Sequence, residues 1–132
     1  MSTIFSKIIS GELPSYKIAE DDDFIAFLDI MPIALGHVLV VPKQEVDKLF
    51  DASDHILGKA LLFAKPIARA LERTFECNRV GISVIGIEVP HAHIHLVPIQ
   101  SAEDLNFTKK KLSLTTEELS SIQNTILHAL QH

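Results

Sequence analysis

The 132-residue sequence predicts an α+β protein built on a mainly antiparallel sheet of about five strands. Two observations support this class. Short gaps separate several of the strand-like runs, and such gaps favour hairpins because a parallel connection needs about a dozen residues or more. Three other segments have apolar residues at helical spacing, and they do not alternate strictly with the strands. No repeat, low-complexity tract or linker interrupts the chain, so we expect residues 1–132 to form a single domain.

The three helical segments differ in length and in their end signals. Residues 4–9 predict a short helix that stops at Gly11, a residue suited to a left-handed cap. Residues 52–75 predict a long amphipathic helix that Pro66 should kink or break. Thr115 and Glu118 have the spacing of a capping box and open a last helix within the extension 113–131. The inward residues of the two longer helices are expected to be Ile56, Leu61, Leu62, Ile67, Leu71, Leu119, Ile122, Ile126 and Leu130.

Five short runs have the composition of strands, with β-branched and other apolar residues between turn signals. Gly86 and Pro90 predict a tight connection between the last two runs. The five runs are residues 16–19, 24–28, 37–41, 80–85 and 92–97.

Composition and charge exclude several classes of protein. Hydrophobic residues make up 47% of the chain and charged residues 22%, which is typical of a soluble globular domain. The net charge of −5 offers no bulk attraction to nucleic acid or to an anionic membrane. Cys77 is the only cysteine, so an intrachain disulfide is excluded, and neither a signal peptide nor a membrane span is evident. We therefore expect a cytoplasmic protein, in which the run Lys109-Lys110-Lys111 forms a solvated turn.

The stretch from His91 to Val97 carries the chemical signal of the sequence. His91, His93 and His95 alternate with apolar residues, so on a strand they would share one face at about 6.6 Å spacing while residues 92, 94 and 96 face the core. Three imidazoles side by side are costly to bury without partners, and histidine titrates near neutral pH. The pattern therefore indicates a functional site.

Two chemistries fit such a row of histidines. A metal site is one, because two histidines separated by one residue on a strand can present two ligand nitrogens to zinc or manganese. Nucleophilic catalysis is the other, with a neutral imidazole attacking phosphorus while its neighbours supply protons and hydrogen bonds. Spacing alone does not separate the two.

Three motifs, in the same order, resemble those of the histidine-triad superfamily. Residues 91–97 match its His-φ-His-φ-His-φ-φ signature, where φ is apolar. Residues 4–14 look like its opening helix and turn, and residues 27–32 followed by 36–43 are similar to its second hallmark. The resemblance covers about residues 3–98.

The resemblance implies a role for each matching position. His93 would be the nucleophile that takes the nucleotidyl group as a covalent phosphoramidate, while His91 would orient it. His95 would contact the phosphate or assist the leaving group, and His37 matches a fourth active-site histidine. Asp29 would accept hydrogen bonds from the ribose hydroxyls. The apolar walls around the base would be Phe5, Ile8, Phe27 and Ile30, and the phosphate-side positions Ser83, Gly86, Ile87 and Glu88.

The chain departs from the family pattern at the position of a structural zinc site found in many relatives. Two cysteines and a histidine of that site correspond to Thr3, Ser6 and Glu45, leaving His91 as the only matching ligand. Hydroxyl groups are poor zinc ligands, so we expect no bound metal. Ile87 and Ser83 also replace an amide and an asparagine that are common in the family.

The resemblance thus implies a nucleotide hydrolase or transferase acting at the α-phosphate of a purine nucleotide, with adenine as the expected base. Such an enzyme would need no cofactor, and Mg²⁺ would enter only as a counter-ion of a polyphosphate substrate. We expect a homodimer with joined sheets, also because the apolar face of residues 56–71 exceeds what one small sheet covers. The alternatives are a non-catalytic nucleotide sensor and a metalloenzyme with His91, His93 and His95 as ligands.

Overall fold

The computed structural model describes residues 3–132; Met1 and Ser2 of the predicted domain lie outside the described residues. Five antiparallel strands form one sheet in the order β1-β2-β3-β5-β4, which confirms the α+β class. The strands are β1 (Lys17–Glu20), β2 (Phe24–Leu28), β3 (Val38–Pro42), β4 (Arg79–Ser83) and β5 (Ile94–Ile99). The helices are α1 (Ile4–Ser10), α2 (Asp54–Thr74) and α3 (Thr116–Gln131).

Helix α2 packs on one face of the sheet through three alanines and three larger aliphatic side chains. Its buried residues are Ile56, Ala60, Ala64, Ile67, Ala70 and Leu71. The prediction that Leu61 and Leu62 face inward is wrong, since they are 58% and 64% exposed. Three alanines, Ala60, Ala64 and Ala70, lie on the buried face of the helix instead.

Pro66 does not break this helix, which runs without interruption over 21 residues. A proline removes the bond to the carbonyl four residues earlier, here that of Leu62. Both residues lie on the exposed side of the helix, so water can satisfy that carbonyl. Helix α3 begins with the predicted capping box at Thr115 and packs against α2 with Leu119 and Ile126 buried.

The other face of the sheet is covered in part by α1. Phe5 packs there with Phe27 and the strand residues Ile25, Leu39 and Val41. Because both faces are covered, every residue of β2 and β3 is buried. Helix α1 ends, as predicted, at Gly11 with a φ of 88°. Within residues 3–132, no helix combines the length and apolar character that crossing a bilayer would require.

The last strand begins later than the sequence pattern indicated. Strand β5 starts at Ile94 rather than at position 92, because the backbone N–H of Ala92 bonds to the carbonyl of Val46 in a loop. The link between β4 and β5 is therefore the ten-residue stretch 84–93, and the prediction of a tight connection is wrong. His91 and His93 lie in this stretch, so only His95 belongs to the strand proper.

Candidate functional site

Four buried histidines meet where β5 enters the sheet beside β3. His95 lies on β5, with Leu39 of β3 as one register partner and Ser83 of β4 as the other. His37 directly precedes β3 and follows Gly36, whose φ is 85°. A Cβ at this glycine would lie 2.6 Å from the ring of Phe75, so the turn that delivers His37 requires glycine.

The orientation and tautomer of His93 are fixed by one backbone atom. Its Nδ1 lies 2.7 Å from the carbonyl oxygen of His91. A carbonyl only accepts, so Nδ1 carries the proton and donates it. Nε2 of His93 is then left with a free lone pair. The ring also packs edge-on against Phe5, with the ring centroids 4.9 Å apart.

His37 and His95 form a directed pair whose proton positions follow from their neighbours. The backbone N–H of Ile33 donates to Nδ1 of His37 at 3.2 Å. The proton of neutral His37 therefore lies on Nε2, which donates to Nδ1 of His95 at 2.9 Å. The proton of His95 must then lie on Nε2. His93 and His95, with ring centroids 4.9 Å apart, thus offer a lone pair and an N–H side by side.

His91 supports the site from behind. Its Nε2 donates to the carbonyl oxygen of Pro42 at 2.8 Å, at the end of β3. Its Nδ1 lies 3.5 Å from the hydroxyl of Thr3 at the start of α1. The ring of His91 is fixed between the sheet and α1, and its backbone carbonyl is thereby held in place for His93.

Burial keeps three of the four histidines neutral. Desolvation lowers the pKa of His37 to about 3, and the nearby charges that His95, Lys111 and His93 would carry act in the same direction. Desolvation likewise lowers the pKa of His95 to about 4, and that of His93 falls below its ordinary value. A neutral imidazole is the form in which a nitrogen lone pair is available for attack.

Asp29 lies at the end of β2 next to this pair. Its backbone N–H donates to the carbonyl of His37 at 3.1 Å, and its Oδ1 accepts the N–H of Met31 at 2.9 Å. Its Oδ2 is 3.6 Å from Nε2 of His37 and is left to accept from a ligand. Burial raises the pKa of Asp29, although the hydrogen bond from Met31 and the charge of Lys111 oppose this.

The predicted apolar walls divide into buried and accessible positions. Phe5 and Phe27 are buried and contact each other edge to face, with centroids 5.7 Å apart. They therefore belong to the smaller core as well as to the back of the site. Ile8 is half-buried against that core, and Ile30 is exposed beside Asp29. Contact with a base would have to come mainly from Ile8 and Ile30.

The predicted phosphate-side positions lie at and after the end of β4. Ser83 is the register partner of His95, which places it beside the triad. Gly86 has a φ of 70°, a conformation that side chains rarely adopt. Ile87 and Glu88 are exposed on the stretch before the triad, and the charge of Glu88 helps to raise the pKa of Asp29.

Two residues of the site were missed by sequence reasoning. The ring of Phe107 lies 4.5 Å from that of His95 and 5.9 Å from that of His37, measured between centroids. Lys111 is partly buried, and its charge lowers the pKa of both histidines. The prediction that the whole run 109–111 is a solvated turn is wrong for Lys111. No local pattern marks these two residues, because only the return path of the chain places them here.

A metal would face different ligands from those considered on sequence. Among the described residues, Asp29, His37 and His95 have ligand atoms within 4.8 Å of one another. Nδ1 of His37 is occupied by the N–H of Ile33, so Nε2 would have to lose its proton to bind a cation. The donor set is therefore poorly prepared for a resident metal.

Comparison with known proteins finds a matching family model and similar sequences. The HIT domain model matches residues 10–102, well over half of the chain. An uncharacterized HIT-like protein of Borreliella burgdorferi is 37% identical over 131 residues, covering 93% of this chain and 94% of its own. The adenosine 5'-monophosphoramidase of Saccharomyces cerevisiae is 42% identical over 96 residues, covering 72% of this chain and 61% of its own.

Two solved structures share the whole fold. A HIT-like protein from Bartonella henselae, crystallised with an unknown ligand, has a TM-score of 0.84 at 32% identity and covers 97% of this chain and 96% of its own. A zinc-bound histidine-triad protein from Mycobacterium smegmatis has a TM-score of 0.82 at 28% identity, covering 99% of this chain and 94% of its own. With the match to the family model and these relatives, the chain belongs to the histidine-triad (HIT) domain family.

Proposed function

We propose that this protein cleaves a purine nucleotide at its α-phosphate through a covalent nucleotidyl intermediate on His93. The observation that carries the proposal is the hydrogen bond from Nδ1 of His93 to the carbonyl of His91, which leaves the Nε2 lone pair free in a neutral ring. Relatives from Saccharomyces cerevisiae and Schizosaccharomyces pombe are named adenosine 5'-monophosphoramidases. We therefore choose an adenosine phosphoramidate, with a P–N bond, as the first substrate to test.

The reaction has two displacements. In the first, Nε2 of His93 forms a bond to phosphorus while the bond to the leaving nitrogen or oxygen breaks, and the leaving group takes that electron pair. In the second, water attacks phosphorus and the N–P pair returns to Nε2. Overall, water supplies OH to the nucleotide and H to the leaving group. If an acceptor other than water attacked the same intermediate, the nucleotidyl group would be transferred to that acceptor.

The other histidines hold the reacting groups in place. Nε2–H of His95 is directed by His37 and donates to the phosphate or the leaving group. The carbonyl of His91 keeps accepting from Nδ1 of His93 when that ring becomes a positively charged phosphoramidate. This interaction strengthens as charge develops, which is how a fixed dipole lowers a barrier.

Nucleoside recognition rests on Asp29 and the apolar positions beside it. Oδ2 of Asp29 accepts from the ribose hydroxyls, since Oδ1 is occupied by Met31. Exposed Ile30 and half-buried Ile8 offer a flat base apolar surface.

The test uses a substrate radiolabelled at the α-phosphate and an alkaline denaturing quench, because phosphoramidates survive base better than acid. Wild-type protein should carry label, whereas His93→Ala should carry none and lose turnover. Nucleotide binding by His93→Ala should stay within about tenfold, because the missing group acts mainly in the transition state. His55→Ala, which alters an exposed histidine paired with Asp23, serves as the control and should label normally. Normal turnover by His93→Ala would refute the assignment.

The same assay separates this proposal from its two rivals. A nucleotide sensor would bind AMP and show neither label nor turnover. A metalloenzyme would lose activity on treatment with chelator and regain it with one particular ion, with Asp29, His37 and His95 as the ligands to examine. We expect turnover that chelator does not change.

A further inference from the structure

The stretch 106–112, between β5 and α3, returns across the active site. It begins after a 3-10 turn over Ala102–Leu105 and is anchored at its far end, where the N–H of Leu112 donates to the carbonyl of Pro32 at 2.8 Å. Pro32 lies in the loop that connects Asp29 to His37. This bond ties the stretch to the loop that carries His37.

Phe107 fixes this stretch on the site. Its ring packs on the rings of His95 and His37, at centroid distances of 4.5 and 5.9 Å. Its carbonyl oxygen accepts a hydrogen bond from Nζ of Lys111 at 2.7 Å, and the same Nζ lies 5.7 Å from the centre of its ring. The ammonium group is thus held beside the pair by two contacts with one residue.

Lys111 is the cation that the site otherwise lacks. Burial keeps His37, His93 and His95 neutral, so they bring no formal positive charge to a bound phosphate. None of the ion pairs within 4 Å among residues 3–132 involves Lys111, whereas Lys17 and Lys43 are both paired with Glu20. Of its three N–H groups only one is used by Phe107, so two are left for a ligand.

We propose that Lys111 is a substrate-binding residue, held by Phe107 so that its ammonium group donates to the phosphate oxygens of the bound nucleotide. The inference rests on the proposed function, because it assigns a ligand group to the same site. It predicts that Lys111 contributes to the binding of nucleotides but not to the binding of nucleosides.

The experiment compares the binding of AMP and of adenosine by titration calorimetry. Lys111→Gln should weaken AMP binding at least about tenfold, the usual effect of losing a hydrogen bond to a charged group, and leave adenosine binding unchanged. Lys111→Arg keeps the charge and should restore most of the AMP affinity. Lys110→Gln, which alters the exposed neighbour, is the matched control and should bind both ligands as the wild type does.

The outcomes separate this inference from the catalytic proposal. Unchanged AMP binding by Lys111→Gln, or an equal loss for AMP and adenosine, would overturn the role of Lys111. A loss as large in Lys110→Gln would do so too, since it would reflect only the general charge of the run. Lys111→Gln could weaken the binding of AMP but not of adenosine while the wild-type protein shows no turnover. That result would support the role of Lys111 and refute the covalent mechanism.

Discussion

Nε2 of His37 donates to Nδ1 of His95 across 2.9 Å, and the backbone N–H of Ile33 donates to Nδ1 of the same His37 ring. This chain of donors fixes the proton of His95 on Nε2, where it points away from the pair. Two residues 58 positions apart in sequence therefore determine together which nitrogen of His95 can act on a substrate.

The buried neutral pair makes the stability of the fold depend on pH. Below about pH 6.5 the unfolded chain takes up protons on its histidines, whereas folded His95 and His37 stay neutral until their pKa values of about 4 and 3. In this range the unfolded state binds more protons than the folded state. The free energy of unfolding should therefore decrease as the pH is lowered, by up to about 1.4 kcal/mol per pH unit for each such histidine. Urea unfolding between pH 7.5 and 4.5 measures this slope.

The raised pKa of Asp29 changes the free energy of unfolding with pH in the direction opposite to that of the histidines. A variant is therefore needed to isolate the contribution of the His37–His95 pair. His95→Gln should have a shallower slope than the wild type, and the exposed control His128→Gln should match the wild type. Identical slopes for His95→Gln and the wild type would contradict a neutral buried His95.

Asp29→Asn tests recognition of the ribose. Asparagine keeps an oxygen for the N–H of Met31 but has no charged oxygen for the ribose hydroxyls. The variant should bind AMP more weakly by about 1.5–3 kcal/mol and bind the 2',3'-dideoxy analogue as the wild type does. Calorimetry with both ligands measures the difference, and equal losses would assign Asp29 to the fold instead.

The start of α1 should hold no structural zinc. The hydroxyls of Thr3 and Ser6 form the reciprocal capping box of this helix, and Nε2 of His91 donates to the carbonyl of Pro42. We expect protein purified without added metal to contain no zinc and to keep its melting temperature in chelator. A triple variant, Thr3→Cys with Ser6→Cys and Glu45→His, restores the family's ligand types and is the positive control. Near-stoichiometric zinc in the wild type would refute the prediction.

A homodimer should form through the edge of the sheet. The apolar face over residues 56–71 is covered only in part, because its buried residues pack on the sheet and on α3 while Leu61 and Leu62 are exposed. Strand β4 is an edge strand of the sheet, and its Ile82 is 49% exposed, with exposed Val84 and Ile85 following. An edge of this kind is a ready site for pairing with a second copy.

Light scattering should give about twice the chain mass of 14.6 kDa. Ile82→Lys places a charge on the edge and should shift the protein towards monomer. A wild type that is monomeric at micromolar concentration would count against joined sheets but not against the chemistry.

The sequence by itself determined the local features of this protein. The caps at Gly11 and Thr115 and the run of β2 were predicted at their observed positions, because each depends on sterics and hydrogen bonds among a few neighbouring residues. The alternating histidines lie within a few neighbouring residues, so they were recognisable in the sequence. The same motif indicated the family to which the chain belongs.

Tertiary structure alone decided how those histidines act. Strand β5 begins after His93, because the loop at Val46 takes the backbone N–H of Ala92, so the three rings do not form one row on a strand. The path of residues 106–112 brought Phe107 and Lys111 to the site. These arrangements depend on packing between segments far apart in the chain, and a periodic pattern records which face of a segment is apolar but not what will pack against it.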